Sequence, residues 1–398
     1  MQAKTSGSQL DIDALRADTP SCATLLHANN AGSSLQPRPV TQVVLDYLAL
    51  EQRRGGYEAA IERAAQRERT YADLGLLIGA QPHQIAITDS ATRAWNLAFA
   101  AIPFKAGDRI LTSAAEYASN YIAFLHLQER LPIEVVPVPN DESGQLSVDA
   151  LADLLDERVR LVAVTHIPTS GGLVNPAQAI GEVVAESGAL YLLDACQSVG
   201  QVPLDVTDIK VDLLTTTGRK YLRGPRGTGF LYVRDEALDQ LRLPIADLYG
   251  AKWSSRGGFT LRPDARRFEL YESNLAATLG LGAAARYALE VGPAESWRRI
   301  QSLADRLRQG LVAHSDITVV DQGPVQCGIV TFVVRDCEPR ILVELLRSQQ
   351  INIWHSSVES TRIDLEDRGL RAVVRASVHY FNTEAEVDRL VEAIDAAR

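Results

Sequence analysis

The chain is poor in lysine, with five against 35 arginines, and no apolar run approaches the ~20 residues that a membrane-spanning helix needs. Its four cysteines, Cys22, Cys196, Cys327 and Cys337, form no CxxC pair and show no disulfide spacing. Scattered thiols of this kind fit a reducing compartment and exclude a small disulfide-stapled scaffold. Positive charge is short as well. A net charge of −10 and a pI near 5.3 argue against nucleic acid or anionic membranes as partners. The opening stretch, "MQAKTSGSQLDIDALRADTP", lacks the apolar segment of a secretory signal, so a cytoplasmic location is expected. Repeats, heptads and low-complexity tracts are also missing, and no metal-binding pattern is seen.

With 398 residues, 46% of them hydrophobic, the chain is long enough for a large core and a second, smaller domain. Seven β-rich runs stand in its middle: 84–90, 109–113, 134–140, 159–168, 189–197, 211–218 and 227–233. Helical stretches separate most of them, such as 91–101, 147–156 and 176–187. Alternation of this kind predicts an α/β fold with a mostly parallel seven-stranded sheet covered on both faces. From about residue 290 the order changes to helix, strand, helix, strand, strand, helix, which predicts a small α+β domain. We therefore expect a large domain over 25–285 and a small one built from 1–24 and 286–398. The stretch 251–266, rich in Gly, Ser and Arg, reads as a long loop, where specificity often lies.

Ligands in such sheets sit beyond the carboxyl ends of the strands. Asp89, Thr112, His166, Asp194 and Thr217 all fall there, which predicts one converging site. Asp194, in "LLDACQSVGQ", ends a buried strand and needs a cationic partner. Lys220, in "TTTGRKYLRGPRGTGFLYV", follows the next strand, and a lysine can lose its charge and attack a carbonyl where an arginine cannot. Pyridoxal phosphate satisfies both demands, since its pyridine nitrogen needs a carboxylate and its aldehyde a lysine. Ser90, Ala91 and Thr92 in "DSATRAWN" open a helix after a strand, and such an N-terminus suits a phosphate. The bland alternatives are a helix cap at Ser90, a local salt bridge at Asp194 and a structural histidine at His166.

In these motifs the chain resembles the class V branch of fold-type I pyridoxal-phosphate enzymes. "NNAGSS", "RGGYEAA", "SAAEYASN", "VTHIPTSGGLVNP", "YESNLAATLGLGAA" and "VRASVHYFNTEAEVDRLV" carry the likeness over nearly the whole length. The resemblance implies that Lys220 is the Schiff-base lysine, Asp194 the partner of the pyridine nitrogen and Gln197 the neighbour of the phenolic oxygen. It implies phosphate contacts from Ser90, Ala91, Thr92, Thr217 and Arg219, with Asn274 completing the site from a second subunit, hence a homodimer. Tyr117 stands where desulfurases stack a histidine on the ring, and Arg375 matches the arginine that grips a substrate α-carboxylate. Asn29, Asn30, Tyr57, Thr169 and His355 fall on the substrate side, and His166 is a candidate acid or base. One departure is informative. Desulfurases of this branch need a cysteine on a loop of the small domain, and positions 351–370 hold none. The expected reaction is therefore β-elimination from an L-cysteine S-conjugate, giving a thiol or sulfenate, pyruvate and ammonia, as in the C–S lyases of the branch. The alternatives are epimerisation at Cα, with Tyr57 or His166 on the second face, and decarboxylation-coupled oxidative deamination or transamination. A cofactor-binding scaffold without activity has no reason to retain Lys220, Asp194 and Arg375 together.

Overall fold

The computed structural model describes residues 10–397. Residues 1–9, which begin both the segment read for a secretory signal and the expected small domain, lie outside the described residues. All seven expected strands form: β1 (Ile85–Thr88), β2 (Arg109–Ser113), β3 (Glu134–Val138), β4 (Val159–Thr165), β5 (Leu190–Asp194), β6 (Leu213–Thr217) and β7 (Gly229–Val233). They make one sheet in the order β1-β7-β6-β5-β4-β2-β3. Only β7 runs against its neighbours; β6, β5, β4, β2 and β3 pair in parallel. The chemistry of these runs explains the arrangement. Leu190 to Leu193 and Leu213 to Leu214 are buried without interruption, as strands covered on both faces must be.

Alternate residues of each strand feed two separate apolar layers. One holds Val162, Val164, Tyr191, Leu193, Leu214 and Phe230. The other holds Leu161, Ala163, Leu190, Leu192, Leu213 and Leu231, with Trp95, Phe99 and Phe124 from the covering helices. Trp95 and Phe99 stack at 4.9 Å, and Phe124 meets Trp95 at 5.4 Å, so the aromatic trio locks helices Ala91–Ala101 and Ala118–Gln128 side by side.

The C-terminal region forms a four-stranded antiparallel sheet, in which the strand Ala372–Ser377 lies between Ile329–Val334 and Trp354–Ser357. Helices Pro293–Val312, Pro339–Ser348 and Glu384–Ala396 supply its core, among them Leu303, Leu307, Leu342, Leu346 and Leu390. The N-terminal segment joins this region: Arg16 pairs with Glu386 at 2.8 Å and donates to the Phe381 carbonyl at 3.0 Å. Leu26–His27 pairs in parallel with Ile351–Asn352, and Asn29 bridges Ser377. The division at residue 25 remains a proposal, and this pairing favours moving its N-terminal edge past Asn30.

One expectation needs correction. The stretch read as a loop over 251–266 contains a hairpin, Ala251–Ser255 against Gly258–Leu261. Trp253 is the register partner of Phe259 across it, and both are exposed, so the hairpin is not formed by burial.

Candidate active site

The parallel strands end around one cavity, lined by Ser90, Thr92, Tyr117, Thr165, Thr169, Asp194, Cys196, Gln197, Thr217, Arg219 and Lys220. Ala91 lies on its wall beside Ser90. Ser90 caps helix Ala91–Ala101, its Oγ accepting the Arg93 N–H at 3.1 Å. The first N–H groups of that helix have no partner inside the helix and face its open end. Strand β7 approaches closely here because Gly229 has no side chain. A Cβ at that position would stand 2.8 Å from the Ala91 nitrogen and push the helix terminus away.

Asp194 ends β5 and is buried. Its Oδ1 accepts the Cys196 N–H at 2.9 Å, and its Oδ2 accepts Asn120 Nδ2 at 2.9 Å. Lys220 is half-buried and opens into the cavity, and its ammonium has no hydrogen-bond or ion-pair partner among the described residues. Burial lowers its pKa first; the nearby Cys196 and Asp194 act upward, Arg219 and Arg375 downward. Cys196 shares the cavity, but burial and then Asp194 push its thiol well above the ordinary range, which makes it a poor thiolate.

Arg375 reaches the cavity wall from the small sheet, at Thr169. Its Nη1 donates to Thr169 Oγ1 at 2.8 Å and to the Thr169 carbonyl at 2.9 Å, while Nη2 donates to Asn29 Oδ1 at 3.3 Å. Burial pulls its pKa down to about 10, which leaves the guanidinium charged at neutral pH. Arg219 donates to the Gly32 carbonyl, so one N-terminal turn holds both guanidinium groups. Gln197 Nε2 donates to the Ala31 carbonyl at 3.1 Å, and its buried Oε1 has no partner.

Other expected residues fall elsewhere. Thr165 and Ile167 face the cavity, so the pleat turns His166 to the opposite side, among Pro176, Ala177 and Val202. His166 is thus not brought to Lys220. His355 does not line the cavity; its ring stacks on that of Trp354 at 5.6 Å. Tyr57 is 73% exposed and interacts with Tyr271 on the outer surface. Asn30 is buried, its amide donating to the Ser377 carbonyl at 2.8 Å and its oxygen accepting Ser34 Oγ at 2.7 Å; it braces the turn and has nothing to offer a substrate. Asp89 is exposed, and Thr112 donates to Glu116 beneath the cavity floor. Asn274 caps helix Leu275–Val291 and lies outside its own chain's cavity.

Glu116 and Asn120 escaped the sequence reading. They sit under the cavity, where the only sequence signal was an acid directly before Tyr117.

The donor set fits pyridoxal phosphate. It offers a helix N-terminus for the phosphate, a buried carboxylate for the ring nitrogen, an unpartnered amine and the orphaned Gln197 amide oxygen. No group of three or more His, Cys, Asp or Glu suited to a metal ion is found among the described residues. No described helix is long and apolar enough to cross a membrane.

The chain is similar to a probable cysteine desulfurase of Methanothermobacter thermautotrophicus, 28% identical with 96% of each chain covered. A probable cysteine desulfurase of Pyrococcus abyssi is 26% identical, again with 96% of each covered. Among solved structures, the apo cysteine desulfurase of Thermococcus onnurineus NA1 superposes with a TM-score of 0.91 at 24% identity, covering 98% of this chain and 99% of that one. The cystine C–S lyase C-DES, in complex with its product cysteine persulfide, superposes with a TM-score of 0.86 at 23% identity, covering 94% and 98%. Both share the fold. The profile of the aminotransferase class-V family matches residues 27–390, and the chain belongs to that family of pyridoxal-phosphate enzymes.

Proposed function

We propose that the protein is a pyridoxal-phosphate-dependent C–S β-lyase acting on an L-cysteine S-conjugate. The observation that carries this reading is Lys220 and Asp194 lining one cavity, with Arg375 bonded to Thr169 on its wall and no thiol on the neighbouring segment of the small sheet. Positions 351–370 lack cysteine, and the segment is docked. Ala118 N–H donates to the Ser360 carbonyl at 3.0 Å, and Ser170 and Thr361 share a hydrogen bond of 2.9 Å. Cys22 and Cys327 are buried, burial pushing Cys327 up to about 12, and Cys196 is held as a thiol. Relatives named cysteine desulfurases and a neighbour named a cystine C–S lyase support cleavage of a carbon–sulfur bond.

When bound, pyridoxal phosphate supplies an electron sink for the pair of electrons released at Cα. The N-terminus of helix Ala91–Ala101, with Thr217 and Arg219, would hold its phosphate, and Asp194 would hold the charge at its ring nitrogen. Tyr117 gives a flat face on the cavity wall. Arg375, fixed by Thr169 and Asn29, would take the substrate carboxylate in a two-pronged grip and so orient the substrate's Cα. The Lys220 amine, its pKa lowered by burial, receives the Cα proton at Nζ and returns a proton later. The sulfur leaves from Cβ as a thiol. With one water consumed, the remaining carbon and nitrogen become pyruvate and ammonia.

Epimerisation needs a proton donor on the second face. Tyr57 and His166, the groups weighed for it, both lie outside the cavity. We also propose a homodimer, because Asn274 lies outside its own chain's cavity and the large apolar side chains Tyr57 and Tyr271 are exposed. Incubation with a panel of L-cysteine S-conjugates tests the function. Equal amounts of thiol and pyruvate support it, whereas Cα deuterium exchange without substrate loss, or carbon dioxide release, would replace it.

A further inference from the structure

Strands β2 and β4 run side by side as far as Thr112 and Ala163, then part. Beyond that fork the Thr165 N–H has no strand partner on the β2 side. The carboxylate of Glu116 fills the gap. Its Oε2 accepts the Thr165 N–H at 3.0 Å and Thr112 Oγ1 at 3.2 Å. Its Oε1 accepts the Tyr117 N–H at 3.0 Å, Thr165 Oγ1 at 2.5 Å and Asn120 Nδ2 at 2.8 Å. The same Asn120 nitrogen donates to Asp194 Oδ2 at 2.9 Å. One amide thus uses both its protons on two carboxylates, and all three side chains are buried.

We propose that Glu116 is a positioning residue for the cofactor, acting through Asn120 on Asp194 and through its own bond to the Tyr117 N–H. The inference rests on the reading of the cavity as a pyridoxal-phosphate site. An amide between two carboxylates cannot rotate without leaving one of them short of a donor, so Glu116 fixes which Asp194 oxygen is engaged from behind. Asp194 Oδ1 takes the Cys196 N–H, and its second lone pair would face the ring nitrogen. The bond to Tyr117 sets where the helix bearing that ring begins. A carboxylate that only braced the fork would need Thr112 and Thr165 alone; the contacts to Tyr117 and Asn120 are the ones directed at the cofactor. Burial, opposed by these donors and reinforced by Asp194, raises the Glu116 pKa to about 7, consistent with a group enclosed rather than solvated.

The test is a double-mutant cycle on E116Q and N120A in the full-length protein. Pyridoxal-phosphate dissociation constants are read by equilibrium dialysis, the visible spectrum of the bound cofactor by absorption, and thermal stability in parallel. We expect each single variant to weaken cofactor binding about 10-fold or more, the scale of one lost hydrogen bond to a charged group, and to shift the visible band. The double variant should bind no worse than about the weaker single one, because E116Q removes the charge from the link that N120A breaks. If E116Q lowers the melting temperature but leaves affinity and spectrum within about two-fold of wild type, the role is structural only and the proposal fails. N120A removes the link without disturbing the other four Glu116 contacts, and an unchanged spectrum there would also overturn it. Wild-type protein that binds no pyridoxal phosphate would overturn the reading of the site itself, a different outcome from variants that match a binding-competent wild type.

Discussion

Arg375 donates from one nitrogen to both oxygens of Thr169, a residue 206 positions earlier in the chain. The contact ties the small sheet to the rim of the large one beside the cavity. It also uses only part of the guanidinium. Nη2 has a single longer bond, to Asn29, and Nε has none. Under the proposed function, the remaining Nη protons are those a substrate carboxylate would take.

This geometry predicts different outcomes for two substitutions. Arg375→Lys keeps a charge but loses the fork that spans Thr169, Asn29 and a carboxylate. It should lower kcat/KM for an S-conjugate at least about 30-fold, roughly 2 kcal/mol of lost binding in a buried charge pair. Thr169→Val removes one of two Thr169 acceptors, and about a 3- to 10-fold rise in KM with a smaller change in kcat is expected. Steady-state kinetics on both variants check this; equal effects would mean that Thr169 acts by another route.

The exclusion of Tyr57 and His355 from the cavity gives a second prediction. Tyr57→Phe and His355→Ala should each leave kcat/KM for the lyase reaction within about two-fold of wild type, as surface changes usually do. A loss of ten-fold or more in kcat for either would bring that residue back into the chemistry, for Tyr57 by way of a second subunit.

His166 offers a prediction about stability rather than rate. Burial without a hydrogen bond at Nδ1 lowers its pKa to about 4. Between the unfolded value near 6.5 and about 4, the unfolded chain takes up a proton that the folded chain refuses, so His166 subtracts stability as pH falls through that window. Above pH ~6.5 it costs nothing. Glu116 and Glu269, both raised to about 7 by burial, push the opposite way as pH falls, so the comparison must be between variant and wild type. His166→Gln should lose less stability than wild type between pH 7.5 and 4.5, by on the order of 1–3 kcal/mol. Urea unfolding at the two pH values measures it; identical losses would show that His166 is protonated in the folded state.

Much of the fold was legible because its signals are local. Unbroken runs such as "LYLLD" and "LLTTT" announce strands covered on both faces, and the polar residue ending each run marks the edge where ligands bind. Asp194, Lys220 and Thr217 needed no more than that. What stayed hidden depends on geometry that spacing does not encode. The pleat decides that Thr165 faces the cavity and His166 does not. Asn30 looks like a ligand-binding amide until Ser377, 347 residues away, is seen to take its proton. Glu116 and Asn120 look like ordinary residues of a helix start, and only the parting of β2 from β4 shows why a buried acid stands there. The hairpin after Gly250 was masked by its exposed Ser, Arg and Gly, which carry no burial pattern.

The most direct test of the account is the visible absorption spectrum of purified wild-type protein and Lys220→Ala, each supplied with pyridoxal phosphate and then with an L-cysteine S-conjugate while pyruvate is assayed. The account predicts a lysine-dependent visible band in wild type that changes on adding substrate, with pyruvate following, and neither the band nor pyruvate from Lys220→Ala. A visible band and pyruvate that persist without Lys220 would contradict it.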